Sequence, residues 1–360
     1  MKNIYLKILE MAPDTSVPVL ATVTGTIGST PQKPGSSALF GRDGLITGTV
    51  GGGVVEGKVQ ELAQKCGHTK ESVFFHYRLN KGVSEPDEAI CGGSITILVD
   101  ADPLAHLPVF KEIRKSISNR ESGVLITRAT GTGETGVLID RYWMTRERTP
   151  DIPAHYLEKI EPEVLGILSS SDPDDYRQVE LTLPGEESPA AFFLEPVHPS
   201  SRLIIAGAGH IGKALSHIAR MLDFEVIVID DRREFANPDN LPDADHIIVK
   251  NIGEAMEVIE KTADTYIVIV TRGHKDDGIA LKPCIGSDVS YVGMIGSKGK
   301  VAKMHSEFIR QGWATEEQWS RIYTPIGLDI KSKTVEEIAV SIAAQLVLVR
   351  NSRNGTRNAK

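Results

Sequence analysis

The sequence predicts an α/β protein: a C-terminal Rossmann-like, doubly wound parallel sheet over residues 198–350, preceded by an N-terminal mixed α/β domain over residues 1–100. Three observations predict this. The glycine fingerprint Gly207-Ala208-Gly209-His210-Ile211-Gly212 follows the apolar run Leu203-Ile204-Ile205 and opens an amphipathic stretch. Short Ile- and Val-rich runs then alternate with helical segments, the pattern of a parallel sheet covered on both faces. Before residue 100, Val- and Thr-rich runs mix with helical stretches and glycine turns.

Taken in order, residues 4–11 form a loosely amphipathic helix stopped by Pro13, and 17–26 a Val/Thr strand. Residues 28–37 are a loop rich in Gly, Ser, Thr and Pro. Residues 38–40 and 45–50 pair as a hairpin around Arg42-Asp43-Gly44. Gly51-Gly52-Gly53 leads into a helix over 54–65, and strands follow at 72–79 and 94–99. Residues 101–197 read as a helix at 110–118 and strands at 123–130, 136–142 and 190–196; residues 143–190 are polar and Pro-rich with weak periodicity. Whether 101–197 fold alone or extend the first domain is left open by the sequence. Strands at 202–206, 225–230, 246–249, 265–271 and 291–294 then alternate with helices at 211–221, 253–263 and 298–311. Thr334 caps a last helix, Glu337 completes a capping box, and the helix runs to about residue 349. Residues 351–360 are a frayed tail.

With 41% hydrophobic and 24% charged residues the chain has the composition of a soluble globular protein, and 360 residues suit two domains or three. A net charge of −8 argues against a nucleic-acid partner. Apolar runs such as 342–349 are too short for a bilayer, and the N-terminus lacks the apolar core of a signal peptide. The three cysteines, Cys66, Cys91 and Cys284, make no Cys-x-x-Cys pair, which disfavours a thiolate zinc site. A cytoplasmic setting is expected.

In the fingerprint, Gly207 permits the tight turn, Gly209 a close approach to a pyrophosphate, and Gly212 close helix–strand packing. The helix start offers free amides and a positive dipole end to an anion, and His210 sits in its first turn, either near a phosphate or simply exposed. Asp230 ends the next strand 21 residues after Gly209, where a carboxylate binds ribose hydroxyls; Arg232 and Arg233 follow it. Thr271-Arg272-Gly273-His274-Lys275-Asp276-Asp277 follows another strand, where ligands gather in such sheets. There Arg272 is a fork for phosphate or carboxylate, His274 offers an imidazole for proton transfer, and Asp277 is placed to orient it. Ser297 reads as a helix cap, with Lys298 and Lys300 beside it; Asp329 lies in a turn before the last helix. In the first half, Gly48-Thr49-Val50-Gly51-Gly52-Gly53-Val54-Val55-Glu56 is a strand, a glycine turn suited to an anion nest, and a helix start with Glu56 in its first turn. Cys91 stands beside Gly92-Gly93, which leave its sulfur approachable; on chemistry alone it reads as a small buried hydrophobe.

Together these blocks resemble the XdhC/CoxI family, accessory proteins that mature molybdenum hydroxylases such as xanthine dehydrogenase. The resemblance is carried by Gly28-Ser29-Thr30-Pro31, Lys33-Pro34-Gly35, residues 48–56, Cys91-Gly92-Gly93, residues 207–212, Asp230-Asp231-Arg232, Thr271-Arg272-Gly273-His274, and residues 291–297, 325–330 and 336–342. It implies a factor without turnover of its own that binds the molybdenum cofactor (molybdopterin), protects it during sulfuration and delivers it to the apo-hydroxylase. It also implies a homodimer and admits a cysteine desulfurase as a second partner. The site residues so implied are Gly51, Gly52, Gly53, Glu56, Cys91, Gly207, Gly209, His210, Gly212, Asp230, Arg272 and His274, with Cys91 touching the molybdenum centre. Position 54, a cysteine in many members, is Val54 here, so Cys91 is the family-like thiol that remains.

Two rival readings follow from the residues themselves. One is an NAD(P)-dependent oxidoreductase with His274 as general acid or base and Asp277 as its partner. The other is a scaffold whose dinucleotide-type domain serves dimerisation and docking.

Overall fold

A computed structural model describes residues 3–11, 18–79, 92–131, 136–170, 172–182 and 189–353, and the chain divides into two compact units, 1–199 and 200–360. The first unit contains α1 (Ile4–Glu10), β1 (Val19–Ile27), β2 (Ser37–Gly41), β3 (Gly44–Gly48), α2 (Gly53–Thr69), β4 (Val73–Arg78), β5 (Ser94–Asp100), α3 (Leu107–Ser118), β6 (Gly123–Thr130), β7 (Leu138–Thr145), α4 (Ala154–Ser169), β8 (Arg177–Leu181) and β9 (Ala190–Val197). Its strands form two antiparallel sheets, in the orders β3-β2-β1-β5-β4 and β7-β6-β9-β8. Residues 101–197 thus supply the second sheet of the first unit.

Strand alternation explains the layers. On β1 and β5, Ala21, Val23, Ile97 and Val99 face α2 and pack on its Val55, Val59 and Ala63. On β6 and β9, Val124, Ile126, Phe192 and Leu194 pack under α4 through Tyr156, Ile160, Val164 and Ile167, a helical 4-4-3 spacing. The remaining faces of the two sheets meet across Leu98, Ala129 and Phe193. Helix α4 occupies part of the stretch that showed weak periodicity in the sequence, and it carries Pro162 within it.

The second unit comprises β10 (Arg202–Ala206), α5 (His210–Met221), β11 (Glu225–Asp230), β12 (His246–Val249), α6 (Ile252–Val258), β13 (Thr265–Ile269), α7 (His274–Leu281), β14 (Tyr291–Met294), α8 (Lys298–Arg310), α9 (Glu316–Ser320) and α10 (Val335–Arg353). All five strands are parallel, in the order β12-β11-β10-β13-β14. One face is covered by α5 and α10 through Leu215, Ala219, Ile342 and Leu346; the other by α6, α7 and α8 through Met256, Leu281, Met304 and Phe308. This is the doubly wound sheet expected. The order turns back at β10, so the crevice outside the carboxyl ends of β10 and β13 is the switch point where such folds bind ligands. Residues 271–277 are only partly loop, since α7 begins at His274. The capping box at α10 is present: Glu337 N–H donates to Thr334 Oγ1 (3.2 Å) and Thr334 N–H to Glu337 Oε2 (3.0 Å). Among the described residues, no helix is long and apolar enough to cross a membrane.

Candidate functional site

In the first unit, the ends of β1 and β3 and the start of β5 lie at one end of the first sheet. Three glycine blocks meet there. A Cβ on Gly93 would stand 2.4 Å from the Ile27 carbonyl oxygen and 2.6 Å from that of Ser29, so residues 92–93 press on the 28–31 block. A Cβ on Gly51 would meet Pro31 at 2.8 Å, so the 51–53 block adjoins the same loop. Gly52 and Gly53 differ: both have positive φ (64° and 53°), and nothing lies within 4 Å of where their Cβ atoms would be. This open turn heads a 17-residue helix, so backbone amides and the dipole of α2 favour an anion at the same place. Thr49 Oγ1 donates to Glu56 Oε2 (2.8 Å) and accepts from Gly51 N–H (3.2 Å). Glu56 therefore braces the turn from the first turn of the helix. Cys91 lies outside the described residues, two positions before Gly93.

The other two cysteines are buried, and burial pushes both thiols up, Cys284 to about 12. Neither forms a thiolate near neutral pH. Among the described residues, no cluster of three or more His, Cys, Asp or Glu side chains is disposed to hold a metal ion.

At the crevice of the second unit, Gly207 has φ 122°, and a Cβ there would meet the Val270 carbonyl oxygen at 2.5 Å. A Cβ on Gly212 would meet the Gly207 carbonyl oxygen at 1.9 Å. These two glycines serve packing, whereas Gly209 faces open space. His210 is exposed at the start of α5.

Asp230 does not offer its carboxylate to a ribose. Its Oδ2 accepts from Ala208 N–H (2.8 Å) and from Arg232 Nη2 (2.8 Å), and its Oδ1 from Arg232 N–H (3.0 Å) and Nε (2.9 Å). A carboxylate has about four acceptor positions, and the protein fills them. Burial opposes ionisation of Asp230, but Arg232 and the amides of Ala208 and Arg232 outweigh it and hold the carboxyl below its usual range. Arg232 also lies over the Phe235 ring, 4.0 Å from its centroid.

The 271–277 segment is likewise rearranged. Asp277 is fully buried and does not orient His274. Its Oδ1 accepts from Thr271 Oγ1 (2.5 Å) and Thr271 N–H (3.2 Å), and its Oδ2 from Lys300 Nζ (2.5 Å). Arg272 is exposed and paired with Asp231 (3.2 Å) and Asp276 (3.4 Å). His274 opens α7, and its Nδ1 is buried without a hydrogen-bond partner among the described residues. Ser297 accepts from Lys300 N–H (3.4 Å) and caps α8.

A further constellation, not singled out from the sequence, lies between the two sheets of the first unit. Tyr5 donates to Glu195 Oε2 (2.6 Å), and a buried ion pair joins Arg141 to Asp100. Burial pushes the Glu195 carboxyl up to about 7, against the lowering influence of Tyr5 and Arg141. Tyr176 Oη and Arg141 Nε are buried without hydrogen-bond partners among the described residues, and both residues line a small internal cavity with Glu195 and Thr24. The signal was present: alternate positions of β1 and β5 that face the second sheet include Thr22, Thr24, Thr96 and Asp100 beside Leu98, where a core would be wholly apolar.

The parallel sheet, its switch-point crevice and its glycine junction define the second unit as a Rossmann domain. Residues 203–346 match the family model described as the XdhC Rossmann domain, and residues 17–78 match that of the XdhC and CoxI family. The chain belongs to the XdhC/CoxI family. It is similar to a probable xanthine dehydrogenase subunit of Bacillus subtilis (strain 168), 24% identical over 97% of this chain and 98% of the relative. It is also similar to "Uncharacterized protein YqeB" of Escherichia coli (strain K12), 21% identical over 98% of this chain; the chain spans 47% of that longer relative. Among solved structures, a crystal structure described as a xanthine dehydrogenase from Bacillus halodurans superposes with a TM-score of 0.77 at 25% identity, covering 98% of each chain.

Proposed function

We propose that the protein is an accessory factor of molybdenum hydroxylase maturation, which binds the molybdenum cofactor and delivers it, after sulfuration, to a xanthine dehydrogenase-type enzyme. Family membership supports the maturation role, and relatives named after xanthine dehydrogenase support the class of client. The observation that carries the reading is the open glycine turn at the start of α2. The cofactor ends in a phosphate, and bare amides at a helix start suit that group. When bound, the cofactor supplies the molybdenum–sulfur chemistry. The chain's own residues hold and shield it: the amides of Gly52 and Gly53 grip the anion, Glu56 and Thr49 keep the turn in shape, and Cys91 offers a soft donor to the metal centre or its sulfur. Gly209, His210, Arg272 and His274 form a second place for an anionic or nucleotide part. A homodimer, a cytoplasmic setting and a cysteine desulfurase as sulfur donor belong to the same reading.

The test is to purify the protein from cells that make the cofactor and to assay released molybdopterin by its oxidised fluorescence. Bound pterin is expected, reduced several-fold in Cys91→Ser. A preparation without pterin that also fails to take up added cofactor overturns the reading. The oxidoreductase reading is disfavoured by Asp230 and Asp277, whose carboxylates are committed to Arg232, Ala208, Thr271 and Lys300.

A further inference from the structure

Between the two sheets of the first unit, beside the internal cavity and sharing Thr24 and Phe193 with it, lies a cleft of about 380 Å³. That is within the range of small-molecule sites, roughly 300–1,000 Å³. Its walls come from edge strands on opposite sheets, with Phe74 and His76 on β4 and Gln178 and Glu180 on β8. The Phe74 and His76 rings, nearly parallel at 24° with centroids 6.3 Å apart, stand together on one side of the cleft. Gln178 Nε2 donates to Glu180 Oε1 (3.1 Å), which orients the carboxylate, and His76 Nδ1 is 3.1 Å from Thr96 Oγ1. Among the described residues the lining contains neither Lys nor Arg, which makes it unsuited to a phosphate. A carboxylate accepts and does not donate, and it pairs best with two neighbouring N–H groups.

We propose that this cleft binds a flat heterocycle whose adjacent N–H groups pair with the Glu180 carboxylate and whose ring lies against Phe74 and His76. Pterins and guanine carry such a donor edge. As a place for the cofactor's ring system the proposal rests on the function proposed above, and free pterin separates the two.

The experiment uses the full chain made in cells unable to synthesise the cofactor, titrated by fluorescence with pterin, with lumazine, in which an oxygen replaces the amino group, and with guanosine by competition. Pterin is expected to bind saturably and lumazine about tenfold more weakly, because its oxygen faces the carboxylate. Glu180→Gln, at an exposed position, should weaken pterin and bring the two ligands close together. Guanosine displacing pterin with higher affinity would support the same donor edge and assign the cleft to purines. No saturable binding of pterin or guanosine at millimolar concentration overturns the proposal, as does a pterin-to-lumazine ratio unchanged in Glu180→Gln. Protein that carries molybdopterin yet shows that unchanged ratio sinks the cleft alone. Protein that never carries molybdopterin but binds pterin through Glu180 sinks the delivery role alone.

Discussion

The two strand-to-helix glycine junctions of this chain share a plan and differ in what closes them. At 48–56 Gly48 and Gly51 are pressed on Ser37 and Pro31, whereas Gly52 and Gly53 at the head of α2 face open space, and Thr49 and Glu56 brace the turn from below. At 207–212 two of the three glycines are pressed against backbone, and a buried carboxylate already holds the Ala208 amide. Glycine spacing alone therefore does not decide whether a junction offers amides to a ligand. The nearest carboxylate does, by occupying those amides or leaving them free.

The comparison can be broken most sharply at the glycines. Gly212→Ala places a methyl on the Gly207 carbonyl oxygen and should cost about 3 kcal/mol in urea unfolding. Gly52→Ala meets no atom but puts a methyl on a backbone at φ 64° and ψ 179°, a region essentially confined to glycine, and should cost about 2 kcal/mol of strain alone while lowering retained molybdopterin. Equal costs would show that the two junctions are alike. Next, Arg232→Ala removes both guanidinium donations to Asp230, leaving those of the Ala208 and Arg232 amides, and should destabilise the second unit by about 2 kcal/mol. If Arg232 is what withholds the acid from ribose, calorimetric titration should detect NAD binding in the variant and none in the parent. Binding by the parent would show that Arg232 does not withhold the acid.

The smallest effect concerns the first unit's own sealed carboxyl. Asp230 is held ionised, whereas Glu195 is pushed up to about 7. Folding raises the affinity of Glu195 for its proton, so its contribution to stability is complete below the unfolded value near 4.5 and is lost as pH rises through about 7. Glu195→Gln keeps an acceptor for Tyr5 and should remove that pH dependence, read as a flatter melting temperature between pH 5 and 8. A slope unchanged by the substitution would place the titrating group elsewhere.

The second unit was largely legible because β10–β13 are short Ile/Val-rich runs and the junctions carry turn chemistry next to them in sequence. Helix α4 was missed although Tyr156, Ile160, Val164 and Ile167 keep helical spacing, because Pro153 and Pro162 argue locally against a helix that tertiary packing on Phe192 and Leu194 sustains. Helix α7 was missed because its first four residues are all polar and read as loop. Asp230 was correctly placed at a strand end, yet its partner was not foreseen, since Arg232 competes with any ribose from only two residues away. The inter-sheet cleft joins side chains about a hundred residues apart in sequence, and only the polar alternation of β1 and β5 hinted at it.

The burial of Cys66 and Cys284 has a practical corollary. A chain with three thiols, two of them locked in a core, is in effect a single-label protein. Any rapid alkylation of the native molecule therefore reports on Cys91 without engineering the other two away.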